Sequence, residues 1–234
     1  MKLINLPNII TCCNLLCGCL AIFFGFRGEL GYASLAIVGG AVFDFFDGMT
    51  ARLLHVSGPI GKELDSLADV VTFGVAPSVL CWSLLSDYGM GPWSLIAFLM
   101  AAFSALRLAK FNCDERQTTS FIGLPTPANA LFWIGMVYLR EIPFMQWLYS
   151  PVLLTLLMLL MSVLLISELP MFSLKIKWDH AGWNDNAWSY SLVIAAVICG
   201  LVCALGGHFA ATPALLIIVY IIMSVISNAR SAAR

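Results

Sequence analysis

Residues 31–51 read GYASLAIVGGAVFDFFDGMTA, and residues 63–85 read ELDSLADVVTFGVAPSVLCWSLL. A helical membrane crossing takes about 20 apolar residues, so each run is long enough for one. Each also carries two aspartates, Asp44 and Asp47 in the first and Asp65 and Asp69 in the second. The apolar residues are continuous and do not alternate with polar ones, which predicts helices and not barrel strands. The rest of the chain agrees: of 234 residues, 61% are hydrophobic and only 11% charged, with a mean hydropathy of +0.93. Soluble domains carry about a quarter charged residues. An ordinary water-soluble globule and a disordered chain are therefore excluded. A formal net charge of -1 offers no electrostatic pull toward nucleic acid.

Working outward, apolar segments fall at 9–26, 31–51, 63–85, 93–111, 127–142, 151–169, 188–206 and 211–228. The expected fold is an all-α integral membrane protein of about eight transmembrane helices. It forms a single polytopic domain over 1–234, with a core of about 5–170 and two further helices near 188–228. The fifth segment stops just before Pro143, or else runs through Trp147 with a kink. Lys2, Arg52, Lys62, Arg107, Lys110, Arg116, Lys175, Lys177, Arg230 and Arg234 fall on the side of the termini. Only Arg27 and Arg140 fall on the other, so both termini are expected in the cytoplasm. The start, Met1 to Pro7, leads into an apolar stretch without a cleavage-site pattern, and no removable signal is expected. Residues 171–187, with Lys175, Lys177, Trp178 and Trp183, suit the headgroup layer. Cys12, Cys13, Cys17 and Cys19 crowd the first helix, and Cys199 and Cys203 lie one turn apart in the seventh. They read as packing residues and not as a disulfide framework or a zinc site.

Four of the thirteen acidic residues stand at fixed spacing in one short stretch. Asp44 and Asp47 are three apart on one helix, and Asp65 and Asp69 four apart on the next, so each pair shares a face. Residues 53–60, including Gly58-Pro59, are expected to turn the chain so that the two helices become antiparallel neighbours. All four carboxylates then converge near the cytoplasmic mouth. Such a cluster at membrane depth costs several kcal/mol unless something cationic neutralises it. Oxygen-only ligands point to a hard divalent ion, Mg²⁺ or Mn²⁺, and four carboxylates suffice for two ions. A pair of such ions suits in-line phosphoryl chemistry on a diphosphate. Gly48, Ala51 and Gly61 leave space for a ligand beside the helices, and Arg52 presents a fork of donors to a phosphate. A cation-coupled transporter is the competing class. It would place its carboxylates near the midplane within an internal repeat, and neither is seen here.

The order Asp44-x-x-Asp47-Gly48-x-x-Ala51-Arg52, eight residues, then Gly61-x-x-x-Asp65-x-x-x-Asp69 resembles the signature of the CDP-alcohol phosphatidyltransferases. The resemblance implies transfer of a phosphatidyl group from a CDP-linked lipid to an alcohol, with release of CMP. It implies metal at Asp44, Asp47 and Asp65, and a double role for Asp69 as second-metal ligand and as the base that deprotonates the alcohol. It assigns Gly48 and Arg52 to the CDP-lipid, with Gly58 in the loop, and it implies a homodimer.

Three further stretches look like the phosphatidylserine synthase branch of that family. They are Leu6 to Thr11 with Asn14-Leu15, Arg107 to Asn112, and Phe121 to Ala128. The expected substrates are CDP-diacylglycerol and L-serine, in a bacterial cytoplasmic membrane with the site facing the cytoplasm. Arg107 is the candidate for the serine carboxylate, with Lys110 and Asn112 nearby. Lys110 could instead hold the phosphate of glycerol 3-phosphate or inositol phosphate. An archaeal-type CDP-lipid also fits the motif. Asn8 and Thr11 are candidates for the cytidine or a phosphate, with helix capping as the alternative.

Overall fold

A computed structural model describes residues 5–56, 58–114, 121–171 and 187–232. Residues 172–186, expected in the headgroup layer, lie outside them. Helix α1 (Leu6–Phe26) begins where the Asn5 side chain accepts from the Asn8 amide at 2.9 Å, with Pro7 in the first turn. Helix α2 (Leu30–Leu53) follows after a tight turn. Helix α3 (Pro59–Asp69) passes through a π turn (Val70–Val75) into α4 (Ala76–Asp87). A 3₁₀ segment (Gly91–Phe98) leads into α5 (Leu99–Cys113). Then come α6 (Thr126–Leu139), a 3₁₀ turn (Pro143–Tyr149) and α7 (Pro151–Ile166). Helices α8 (Ala187–Leu205) and α9 (Thr212–Ala232) complete the chain. The described residues hold one strand pair, β1 (Phe121–Ile122) antiparallel to β2 (Pro170–Met171).

Among the described residues, five helical runs are long and apolar enough to cross a membrane: Leu6–Phe26, Leu30–Leu53, Pro59–Asp87, Gly91–Cys113 and Phe209–Asn228. A sixth arises if the Pro143–Tyr149 turn and α7, which meet at 75°, are one bent span. All eight expected segments are helical, but α6 has only 14 residues and the apolar part of α8 is Ser191–Leu205. Helix α6 ends at Leu139 because Ile142, held extended ahead of Pro143, breaks it. A helix running on through Trp147 does not form. Short as it is, α6 lies at the centre, with ten of its residues buried, and it packs against α9, α4 and α2.

The ion pairs of the described residues stay at one end of the bundle or the other. Lys62 Nζ donates to the Asn112 carbonyl at 3.0 Å, and Lys110 pairs with Glu168 at 3.3 Å. At the opposite end Arg140 pairs with Asp87 at 3.2 Å and Arg27 with Glu29 at 2.9 Å. Trp93, Phe144 and Trp147 stand exposed at that second end, as in an interfacial aromatic belt. Between the ends, Leu16, Leu35, Leu156 and Val197 are exposed on helix flanks, where lipid replaces a protein neighbour.

The expected α2–α3 hairpin is modified in one respect. The two helices touch each other little, and α1 packs against both. Two glycines permit this. A Cβ on Gly18 would stand 2.9 Å from the Thr72 Cα, and one on Gly40 would stand 2.5 Å from Thr72 Cγ2. Both helices thus close on the π turn directly after Asp69, where the Thr72 hydroxyl donates to the Asn14 carbonyl at 3.0 Å.

Candidate functional site

Asp44 and Asp47 leave α2 on one face, and Asp65 comes from α3 to meet them. One carboxylate oxygen from each lies within 4.8 Å of the other two. Asp69, a turn deeper, comes within hydrogen-bonding reach of Asp44 and accepts from Asn14 Nδ2 at 3.4 Å. Asp47 and Asp69 are buried, and Asp44 and Asp65 half-buried. None of the four makes an ion pair among the described residues. Asp47 Oδ2 and Asp65 Oδ1 are buried without any hydrogen-bond partner there. Like charges at this range repel, and an unpaired buried oxygen loses its hydration without return. An all-oxygen set with unsatisfied atoms at its centre fits a hard divalent cation. The residues present therefore suit the metal that their spacing predicts.

A cavity of about 250 Å³ opens beside this cluster. Asn8, Thr11, Gly48, Ala51, Gly58 and Gly61 line it, together with Pro7, Val56, Lys62, Asp47 and Asp65. Six of the seven residues expected to bind the CDP-lipid thus line one cavity. The exception is Arg52, which is exposed and turns its Nε back to the Gly48 carbonyl at 3.0 Å. Capping does not explain Asn8 and Thr11, because Asn5 caps α1. Thr11 instead donates to the Pro7 carbonyl at 3.1 Å.

The three expected acceptor residues separate. Arg107 is buried, close enough to Asp69 for their charges to interact. It donates to the Thr126 hydroxyl at 3.4 Å and stacks over the Phe111 ring at 5.3 Å. Lys110 faces Glu168. Asn112 donates to the Ser66 hydroxyl at 2.8 Å. Neither is brought to Asp69.

Thr126 owes its place to Gly123, whose positive φ of +76° sets the loop against the end of α7. A Cβ there would come within 2.7 Å of the Leu165 carbonyl. Sequence reasoning does not single out Asn14 or Lys62 as site residues, and it reaches Thr126 only within the Gly123 to Pro127 stretch, read either as shaping the acceptor pocket or as a plain helix start. Asn14 and Lys62 had usable signals, a lone amide in an apolar helix and a lysine between Gly61 and Asp65. Nothing in the sequence marks Thr126 as a partner of Arg107.

The sequence pattern of the CDP-alcohol phosphatidyltransferase family matches residues 4–166. The CDP-diacylglycerol–serine O-phosphatidyltransferase of Bacillus subtilis is 37% identical over 179 residues, covering 75% of this chain and 90% of that protein. The Helicobacter pylori protein of the same name is 34% identical over 179 residues, 74% of each chain. That of Methanocaldococcus jannaschii is 34% identical over 168 residues, 72% of this chain and 74% of its own.

Proposed function

Since the chain belongs to the CDP-alcohol phosphatidyltransferase family, we infer that it transfers a phosphatidyl group from CDP-diacylglycerol to L-serine, giving phosphatidylserine and CMP. The observation that carries this reading is the position of Asp69. It comes within interacting distance of Asp44 and Asp65 in the carboxylate cluster and of buried Arg107. The cavity takes the nucleotide diphosphate of the lipid, and the acyl chains lie along the exposed apolar flanks.

Arg107 holds the serine carboxylate and so aims the hydroxyl toward Asp69. Asp69 accepts the hydroxyl proton as the oxygen attacks the lipid-side phosphorus. The new O–P bond forms, the bond to the CMP phosphate oxygen breaks, and CMP leaves with that electron pair. No covalent enzyme intermediate is needed. Asp44, Asp47 and Asp65 would hold Mg²⁺ or Mn²⁺, with Asp69 shared by a second ion, and such ions supply charge neutralisation to a diphosphate. Arg52 turns outward from Gly48 to contact the same phosphates.

Serine is favoured over a phosphorylated acceptor because Lys110, the cation that a second phosphate would need, is engaged by Glu168. Asn112 supports α5 through Ser66 and Lys62. In this reading α6, α7 and α8 complete eight crossings of a bacterial cell membrane. Both termini and the aspartates face the cytoplasm, and two copies form a homodimer. The test is incubation of the purified protein with CDP-diacylglycerol and, separately, serine, glycerol 3-phosphate or inositol phosphate. CMP release with serine alone is expected. Release with glycerol 3-phosphate alone would overturn the acceptor. Solute movement into proteoliposomes without consumption of CDP-lipid would overturn the enzyme.

A further inference from the structure

Helix α6 carries a polar group that the reaction above does not use. Asn129 is fully buried, and both its Oδ1 and its Nδ2 lack a hydrogen-bond partner among the described residues. A buried amide with neither end satisfied is rare in native proteins, because each orphaned group forfeits its hydration.

Its surroundings follow from the helix. Asn129 is three residues after Thr126, so the two share a face, with Asn129 one turn deeper. Thr126 is the residue to which buried Arg107 donates. The opposite side of α6 is occupied: Gly135 lies against Ala214 of α9, where a Cβ would come within 2.6 Å of the Ala214 Cβ. Leu131, Ile134 and Tyr138 look into a separate apolar cavity with Ser34 and Leu35 of α2. The Thr126–Asn129 face is thus left for the π turn, α4 and α7, which also pack on α6. It is the side from which Arg107 arrives, beside Asp69.

We propose that Asn129 is a specificity-determining residue that reads the amino-acid end of the acceptor. This inference rests on the serine reading given above. An α-amino acid presents an ammonium and a carboxylate on one carbon. The amide offers one acceptor, Oδ1, for the ammonium and one donor, Nδ2, for the carboxylate that Arg107 also holds. The class of ligand is a small zwitterionic α-amino acid with a free hydroxyl.

The experiment compares wild type with Asn129→Leu, a near-isosteric change that removes both polar atoms, and with Asn129→Ser, which retains a small polar group. Initial rates of CMP release are measured against L-serine and against CDP-diacylglycerol. Ethanolamine, which lacks the carboxylate, and glycerate, which lacks the ammonium, are offered as alternative acceptors. The KM for serine should rise about 10- to 100-fold in Asn129→Leu, the range expected when a buried hydrogen-bonding pair is lost. The KM for CDP-diacylglycerol should hold, the melting midpoint should hold or rise because two orphaned polar atoms are removed, and the preference for serine over ethanolamine and glycerate should shrink. Asn129→Ser should fall between the two. An unchanged serine KM in a folded Asn129→Leu protein would overturn the inference while the serine reading stands. Equal rises in the KM for serine and for CDP-diacylglycerol in both variants would overturn it as well, by marking Asn129 as structural. If the wild type turns over no serine at all, the serine reading and this inference fail together.

Discussion

At one end of the bundle Arg140 holds Asp87 and Arg27 holds Glu29, in pairs that reach toward solvent. At the other, Asp44, Asp47 and Asp65 gather within 4.8 Å with no ion pair among the described residues. Both ends belong to a chain with very little charge, so in neither is charge incidental. The first arrangement is self-contained: each acid has its cation and gains little from it. The second is incomplete, because buried carboxylates with orphaned oxygens weaken the fold until a cation joins them. The difference separates charges kept for topology from charges kept for chemistry.

Chelation should break the contrast most completely. EDTA is expected to abolish CMP release, and added Mg²⁺ or Mn²⁺ to restore it. The same ions should raise the melting midpoint, since a ligand that binds only the folded state stabilises it. Turnover that survives EDTA would mean that the cluster is as inert as the paired end.

Asp69→Asn comes next. Loss of a general base lowers kcat by about 10²- to 10⁴-fold, and the amide, similar in size, should leave the elution profile in detergent unchanged. Asp65→Asn sharpens the comparison by sign. Without metal, removing one of three crowded charges should raise the melting midpoint while activity falls. A lower midpoint would show that Asp65 is held by contacts of the kind that Asp87 has.

Much of this was legible in sequence, for identifiable reasons. Membrane helices declare themselves because lipid demands an apolar side chain at nearly every position of a span, so all eight expected segments are helices. The shortness of α6 was legible too, because Pro143 closes a short fifth segment, but its burial at the centre was not, since that depends on which helices pack around it. The four aspartates were legible because their spacing lies within single helices. Asn14 meets Asp69 across 55 residues of chain, and Lys110 meets Glu168 across 58. Distances of that kind belong to packing, and no local pattern encodes them. Asn129 reads as one polar residue in an apolar helix until its lack of partners is seen.

A smaller effect is expected where the helices close beneath the aspartates. Gly40→Ala pushes a methyl group onto Thr72 and Asn14, and overpacking of this kind destabilises by about 1–3 kcal/mol. Because Asn14 touches Asp69, part of the activity should fall with stability. A Gly40→Ala protein as stable as the wild type would mean that α1, α2 and the π turn have room to part.

The smallest effect should come from the paired end. Asp87→Asn removes the carboxylate that Arg140 reaches at 3.2 Å, in a pair where the Asp side chain is 54% exposed and the Arg 32%. Water and salt screen such a pair, and its loss typically changes stability by about 0–1 kcal/mol. Arg140 keeps its charge and stays within reach of the interface, so the helix ends have no reason to move. CMP release should equal that of the wild type at every ionic strength, and the melting midpoint should shift by no more than a few degrees. The prediction is weak in size but strong in meaning. Asp87, exposed and paired, is the contrasting case to Asp65, half-buried and unpaired among the described residues. If Asp87→Asn cost as much activity as Asp65→Asn, pairing would not be what distinguishes a structural charge from a chemical one in this protein.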